Sequence, residues 1–200
     1  MFSDRLPLAQ HYAQLVAGTA VEWGLIGPRE TVRLWDRHLV NCAVVAELLP
    51  DGARVVDIGS GAGLPGLVLA CLRPDLSVDL VDSIARRTTF LSYAASALGF
   101  EDRVRVVTGR AEDASVVEQV GAAGWVAARA VAPLARLVSW ALPLVVPGGT
   151  LLAIKGDRAA QEMAALTGGK RPTRRYSVDL VHCGTGRIAR PTSVVRVVRR

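Results

Sequence analysis

Asp57, Asp82 and Glu112 stand at or just beyond the ends of three β-rich runs, and the first of them leads into a glycine cluster. Val55-Val56-Asp57-Ile58-Gly59-Ser60-Gly61-Ala62-Gly63-Leu64-Pro65-Gly66 carries glycine at positions 59, 61, 63 and 66. Glycine adopts positive φ without steric cost and lets a ligand approach the backbone closely. In an open α/β sheet, ligands bind outside the carboxyl ends of the strands, where strand order reverses. A loop that leaves a strand and enters a helix there suits a nucleotide-like cofactor. Gly61-Ala62-Gly63-Leu64-Pro65-Gly66 matches G-x-G-x-x-G, the dinucleotide fingerprint, with Asp82 about where a ribose-binding acid belongs. The same glycines also fit a tight strand–helix turn that binds nothing. Asp82 could be a strand-end turn residue, with Ser83 capping the next helix. Asp57 could cap neighbouring backbone N–H groups, and Glu112 with Asp113 could be an acid pair favoured by a helix dipole.

The elements that must position these residues follow from periodicity and punctuation. Residues 3–20 predict a helix with Leu8, Tyr12, Leu15 and Val16 at helical spacing, and 29–49 a second with Val32, Leu34, Leu39, Val40, Val44 and Leu48 mostly on one face. Pro50-Asp51-Gly52 ends it. Strands are then expected at 54–58, 77–82, 103–108, 125–130 and 150–154. They alternate with helices at 64–72, 84–98, 111–120, 133–144 and 157–167, and Pro147-Gly148-Gly149 reads as a turn. Such alternation means βαβ units and a parallel sheet. Residues 176–182 and 192–198 are β-rich with no helix between them, so they predict an antiparallel hairpin at a sheet edge. The expected fold is α/β with a mostly parallel seven-stranded sheet, residues 1–50 being an N-terminal helical extension packed into one globular unit with residues 51–200.

Composition narrows the function classes. Half of the 200 residues are hydrophobic and 21% are charged, a composition that buries a core and excludes a disordered chain. No run approaches the ~18 apolar residues of a membrane span, and Met1 to Pro7 lacks the apolar stretch of a signal peptide. Cys42, Cys71 and Cys183 are three, far apart, without a C-x-x-C pair. That excludes a disulfide framework and a cysteine zinc site, and it fits the reducing cytoplasm. His11, His38 and His182 have no metal-ligand spacing, so no metal is expected. The net charge of +6 is concentrated at the C-terminal end, where Lys170 to Arg200 holds nine of the 24 cations and one of the 18 acids. A one-sided basic patch is the footprint of a polyanion partner; a solubilising tail would look the same. Lys170, Arg171, Arg174 and Arg175 crowd a loop that is expected to follow helix 157–167 near the sheet's carboxyl edge and to contact phosphate. The alternating hairpin cannot present all its charge on one side, which leaves Arg199 and Arg200 only diffuse attraction.

Asp57 makes the glycine loop read D-x-G-x-G-x-G, which resembles the S-adenosylmethionine (SAM) loop of Rossmann-like class I methyltransferases. SAM carries a sulfonium and an ammonium, so nearby carboxylates are useful. It has no pyrophosphate needing a helix N-terminus. On this resemblance Asp82 accepts hydrogen bonds from the ribose hydroxyls, and the 109–112 turn with Glu112 holds the adenine. The expected hairpin also fits that sheet. Several methyl acceptors are excluded. Ala128-Arg129-Ala130-Val131-Ala132-Pro133 is not the Pro-Pro-aromatic loop used on exocyclic base amines. No cysteine sits where attack on cytosine C5 would require a thiolate, and no metal cluster serves a catechol. An atom that is already nucleophilic remains, such as guanine N7, which has a lone pair, carries no proton and needs positioning rather than a base.

Over essentially its whole length the chain resembles the bacterial small-subunit ribosomal RNA guanine-N7 methyltransferase family (RsmG, or GidB). The matches are Val56 to Gly66 with its Leu-Pro-Gly ending, Leu80-Val81-Asp82-Ser83 with Arg86-Arg87 and Phe90-Leu91, Gly109-Arg110-Ala111-Glu112, Ala128-Arg129-Ala130, Ala153-Ile154-Lys155-Gly156 and Arg37-His38-Leu39. It departs from the family where Trp23 is followed by Gly24-Leu25-Ile26-Gly27 rather than Asn-Leu-Thr, and where Asn41-Cys42 replaces Asp-Ser. Both departures bear on RNA contact rather than on the cofactor. The resemblance implies a cytoplasmic, monomeric, SAM-dependent enzyme that methylates guanine N7 in small-subunit (16S) ribosomal RNA, with that RNA or the small subunit as partner and neither metal nor membrane. It places the cofactor site on Gly59, Gly61, Leu64, Asp82, Ser83, Ala111, Glu112 and Arg129, and the chemistry on Arg129 and Lys155. Arg129 reads guanine O6 or a phosphate, an edge arginine suits, unless it pairs with a buried acid such as Asp57. Lys155 holds the RNA backbone, and Arg37 and His38 flank the mouth. The alternatives are a nicotinamide-dependent oxidoreductase and a non-enzymatic RNA-binding assembly factor.

Overall fold

Val55 and Val56, Leu80 and Val81, Ala127 and Ala128, and Leu151 and Leu152 are all buried, each pair pointing to opposite faces of one sheet. Strands buried on both faces must be apolar nearly throughout, and parallel ones are almost always of this kind. The computed structural model describes residues 1–168 and 175–200. Its sheet comprises β1 (Arg54–Ile58), β2 (Ser77–Asp82), β3 (Val104–Thr108), β4 (Ala123–Arg129), β5 (Val145–Lys155), β6 (Tyr176–Cys183) and β7 (Thr192–Arg199), in the order β3-β2-β1-β4-β5-β7-β6. The first five strands are parallel, and β7 runs antiparallel to both β5 and β6. The expected mostly parallel sheet with a terminal hairpin is what forms.

One face packs against the N-terminal segment, which includes α1 (Leu6–Leu15) and the short α2 (Val40–Ala43), and against α3 (Gly66–Leu72) and α4 (Ala85–Ala97), which share a core containing Tyr12, Leu39, Leu67 and Phe90. The other packs against α5 (Ala114–Val120), α6 (Leu134–Ala141) and α7 (Ala159–Thr167) through Val116, Leu137 and Ala159.

The N-terminal segment is more broken than its two expected helices. A helix over Leu6–Leu15 is followed by a π turn, Val16–Ala20. Residues 28–48 run as a 3₁₀ stretch (Pro28–Arg33), a π turn (Leu34–Leu39), one α turn (Val40–Ala43) and a second 3₁₀ stretch (Val44–Leu48). A π turn closes i→i+5 bonds, so Leu34 and Leu39, five residues apart, both reach the core. Val32, expected on that face, is 88% exposed.

Register sets what meets at the carboxyl edge. Ile58 lies beside Val81 and Ala128, Arg129 beside Ile154, and Lys155 beside Ser193. Sheet order reverses between β1 and β4, the place where ligands of such folds bind. Because β7 is antiparallel, the β6–β7 loop also lands on this edge. By the same register Tyr176 pairs with Arg199, so Arg175 sits at the opposite, amino edge, its carbonyl bonded to the Arg200 N–H (2.8 Å). This corrects the expected position of Arg175. Lys170, Arg171 and Arg174 lie outside the described residues. Pro147-Gly148-Gly149, expected as a turn, falls within β5, where the β4–β5 register shifts between Ala123 and Trp125.

Candidate active site

Two cavities open along the carboxyl edge. The smaller, about 210 Å³, is lined by Gly59, Asp82, Ser83, Ala111, Glu112 and Trp140 among others. Five sequence-predicted cofactor residues therefore come together there. Gly61 and Leu64 do not line it. The Gly61 N–H donates to Asp82 Oδ2 (3.0 Å), and Leu64 packs on the core.

The glycine loop is shaped by two carboxylates. Asp82, 2% exposed, accepts from the backbone N–H groups of Gly61 and Ile84 (both 3.0 Å) and from Arg87 Nη1 (3.4 Å). Asp57 is fully buried, and its Oδ2 accepts from the Gly66 N–H (2.9 Å). A Cβ on Gly66 would stand 2.7 Å from that oxygen and 2.3 Å from Leu80 Cδ2, so glycine is required. Burial pushes the Asp57 carboxyl up to about 7. The capping reading of Asp57 is the one the geometry supports. Gly59, at φ +68°, would place a Cβ 2.6 Å from Val131 Cγ2, so only glycine lets the end of β1 close on the 130–132 segment. That cradle, with the Asp82 carboxylate beside it, fits a nucleoside cofactor.

Sequence reasoning missed a third support. The Tyr12 hydroxyl, buried in the N-terminal helix, donates to the carbonyl of Ala62 (2.8 Å) and ties that helix to the loop. A tyrosine within an otherwise apolar helix face was the available signal, because a buried hydroxyl needs a partner. Ser83 does not cap α4: the N-cap is Ile84, whose N–H is held by Asp82. Helix α5 begins at Ala114, so Glu112 precedes it and lies 4.0 Å from Arg110.

The larger cavity, about 1,020 Å³, adjoins the smaller at Val131, which lines both. Arg129, Lys155, Arg37 and His38 line it, together with Arg158 and Arg190. Next to Val131, and lining the larger cavity, Ala130 adopts φ +55°. A non-glycine residue in the left-handed region costs roughly 1–2 kcal/mol, strain typical of functional sites.

Arg129 is not paired with Asp57, which corrects that alternative. Its guanidinium donates to the Arg37 carbonyl (3.3 Å), to His38 Nδ1 (2.5 Å) and to Cys42 Sγ (3.6 Å). Among the described residues it has no carboxylate within ion-pair distance. Burial pushes the Cys42 thiol up to about 11, so the sulfur meeting Arg129 stays protonated at neutral pH. Lys155 is engaged differently. Its side chain is 8% exposed, and Nζ donates to the Ala132 carbonyl (2.7 Å) and to Glu162 Oε2 (2.9 Å). Glu162 Oε2 also accepts from the Leu134 N–H (2.7 Å). Burial raises the Glu162 pKa, but these bonds outweigh it and hold the carboxyl below its ordinary value. The far wall, Ile188 to Ser193, is tied to the N-terminal segment by Glu47, which accepts from the Gly184 N–H (3.1 Å) and pairs with Arg187.

The family model described as rRNA small subunit methyltransferase G (GidB) matches residues 5–185. The chain belongs to that family. Ribosomal RNA small subunit methyltransferase G of Thermobifida fusca is 52% identical over 197 residues, which cover 98% of this chain and 81% of the relative. The protein of the same name from Salinispora tropica is 51% identical over 209 residues, covering all of this chain and 84% of the relative. Among solved structures, the O-methyltransferase of Bacillus cereus in complex with SAH superposes at a TM-score of 0.55. It covers 81% of this chain and 80% of that one, at 17% identity, a likeness of fold. The fold is thus the Rossmann-like class I methyltransferase fold, and methyltransferase G membership leaves no place for the nicotinamide-dependent alternative.

Proposed function

We propose that this chain is a SAM-dependent methyltransferase acting on N7 of a guanine in small-subunit (16S) ribosomal RNA. The observation that carries the reading is the pair of cavities meeting at Val131, one nucleoside-like and acid-lined, the other wide and bearing a guanidinium held by neutral acceptors. Family membership supports the RNA substrate. SAM, when bound, supplies an electrophilic methyl group on a sulfonium. Asp82 and the Gly59 turn hold its ribose, and Ala111 and Glu112 its adenine. Arg129 meets guanine O6 or a neighbouring phosphate and fixes the base. Arg37, Arg158 and Arg190 line the path of the RNA backbone, while Lys155, tied to Glu162, keeps the wall in place.

Guanine N7 needs no general base, and neither His38 nor a cysteine is poised to act as one. Both ring nitrogens of His38 are engaged, one by Arg129 and the other by Glu30 (2.9 Å). Burial pushes Cys42 and Cys183 up to about 11 and Cys71 to about 12, which removes a thiolate route to cytosine C5. These buried, unpaired thiols support a reducing, cytoplasmic setting, and we take the monomer as the working unit. No described helix is long and apolar enough to cross a membrane.

The purified protein, given labelled SAM and small subunits from a strain lacking it, should yield one 7-methylguanosine on nuclease digestion and mass spectrometry. No transfer to any ribosomal RNA would favour an assembly factor, and a methyl group on another atom would overturn the N7 assignment.

A further inference from the structure

Arg129 enters the larger cavity without a carboxylate partner, and what orients it is an imidazole. Arginine offers only N–H donors, so at the Arg129–His38 contact the ring Nδ1 must accept. The proton of the neutral ring then sits on Nε2, which donates to Glu30 Oε2 (2.9 Å). The carboxylate fixes the tautomer, and the tautomer fixes the guanidinium. The chain of contacts begins on the 3₁₀ stretch Pro28–Arg33, passes through the π turn Leu34–Leu39 and ends on β4. The wide turn carries both the His38 ring and the Arg37 carbonyl to Arg129. Resting on the reading of Arg129 as the group that meets the acceptor base, we propose that His38 is a positioning residue, holding Arg129 toward the acceptor in its neutral, Nε2-protonated form with Glu30 as anchor.

The charges around His38 support that form. Burial opposes a second proton, as do the guanidinium groups of Arg129 on β4 and Arg37 on its own turn; Glu30 favours one, and the net effect is a pKa below the ordinary histidine value. Asp36 on the same turn, and Asp157, Arg158, Arg190 and the Lys155–Glu162 pair, line the rest of this cavity. A second proton turns Nδ1 into a donor facing a donor, and the contact with Arg129 is lost. Arg129 then keeps only the Arg37 carbonyl and the Cys42 sulfur.

The test is single-turnover methyl transfer to small ribosomal subunits lacking the modification, with SAM saturating, from about pH 5.5 to 8.5. Saturation removes any effect of Asp57 on SAM affinity. The wild type should lose rate by about tenfold per pH unit on the acid side. His38→Ala should lose at least about tenfold in rate at pH 7.5, with an unchanged SAM Kd, and should lack the acid limb. His38→Asn offers an amide oxygen near the Nδ1 position and does not titrate, so it should recover part of the rate and have no acid limb. Glu30→Gln should move the limb to lower pH. An unchanged rate in His38→Ala, or an acid limb that persists in His38→Asn, overturns the proposal. Should His38→Ala fail to fold, the His38→Asn profile decides. Arg129→Ala separates the two readings: if it keeps the wild-type rate, the role given to Arg129 falls. If it is inactive while His38→Ala is fully active, only the positioning role falls. Adding His38→Ala to Arg129→Ala should cost no further rate.

Discussion

Toward the amino ends of the strands, the buried carboxylate of Asp79 gathers two guanidinium groups, accepting from Nε of Arg54 (2.9 Å) and Nε of Arg105 (2.6 Å). At the carboxyl ends Arg129 is held by a carbonyl, a thiol and a neutral imidazole. At the amino end these two guanidinium groups are paired with a carboxylate inside the fold. At the carboxyl end Arg129 is oriented yet left electrostatically available, as a polyanionic substrate requires. An arginine paired with a carboxylate contributes to folding, whereas one fixed by neutral acceptors keeps its field for a ligand.

Arg129→Ala breaks this comparison most directly. It should lower single-turnover methyl transfer about 100-fold or more, roughly 3 kcal/mol of transition-state stabilisation. Its neutral contacts are worth only about 1 kcal/mol of stability. A thermal melt that collapses while the folded fraction stays fully active would make Arg129 structural. Next is Asp57. Burial holds its folded pKa near 7, above the unfolded value, so between about pH 4 and 7 the folded chain keeps a proton that the unfolded chain has released. Stability from this group is lost as pH rises through that window, by at most roughly 4 kcal/mol. Asp57→Asn keeps an oxygen for the Gly66 N–H and should flatten that slope in denaturant melts. Identical slopes in the two proteins would mean the carboxyl is ionised throughout.

Asp79→Ala sharpens the other side. Stranding two guanidinium groups should cost about 2 kcal/mol, less than a fully buried pair, because Arg54 and Arg105 are partly in water. Turnover of the folded protein should be unchanged, and a loss of kcat without a loss of stability would erase the distinction between the two ends. Asp82→Ala should weaken SAM binding by ~1–3 kcal/mol in calorimetry, the usual worth of a charged acceptor. An unchanged Kd in a folded variant would confine Asp82 to shaping the loop through Gly61 and Ile84.

The strands, the glycine loop and the terminal hairpin were legible because each is written locally, in runs of Val, Ile and Leu bounded by Gly and Pro. Gly59, Asp82, Ser83, Ala111 and Glu112 converge on one cavity because strand ends in a parallel sheet share an edge, which follows from the βαβ pattern alone. The partners of Arg129 and Lys155 were not legible. His38 and Arg129 are 91 residues apart, and no periodicity links a π turn to a distant strand tip. That Arg175 lies away from its expected edge has a topological cause. Its place depends on the direction of β6, and a hairpin read from sequence does not say which arm pairs with β5. Register decided that Arg175 lies far from the site and that Arg190 lies within it.

The β6–β7 hairpin also gives the site an order of assembly. The smaller cavity is lined by residues between Ile58 and Trp140, all in place before the hairpin is translated. The larger one is lined in part by residues between 30 and 41 and by 188–193. A nascent chain therefore carries every lining residue of the nucleoside pocket before the last lining residues of the wide one, and a product truncated before the hairpin would lack residues 188–193 of the wide pocket.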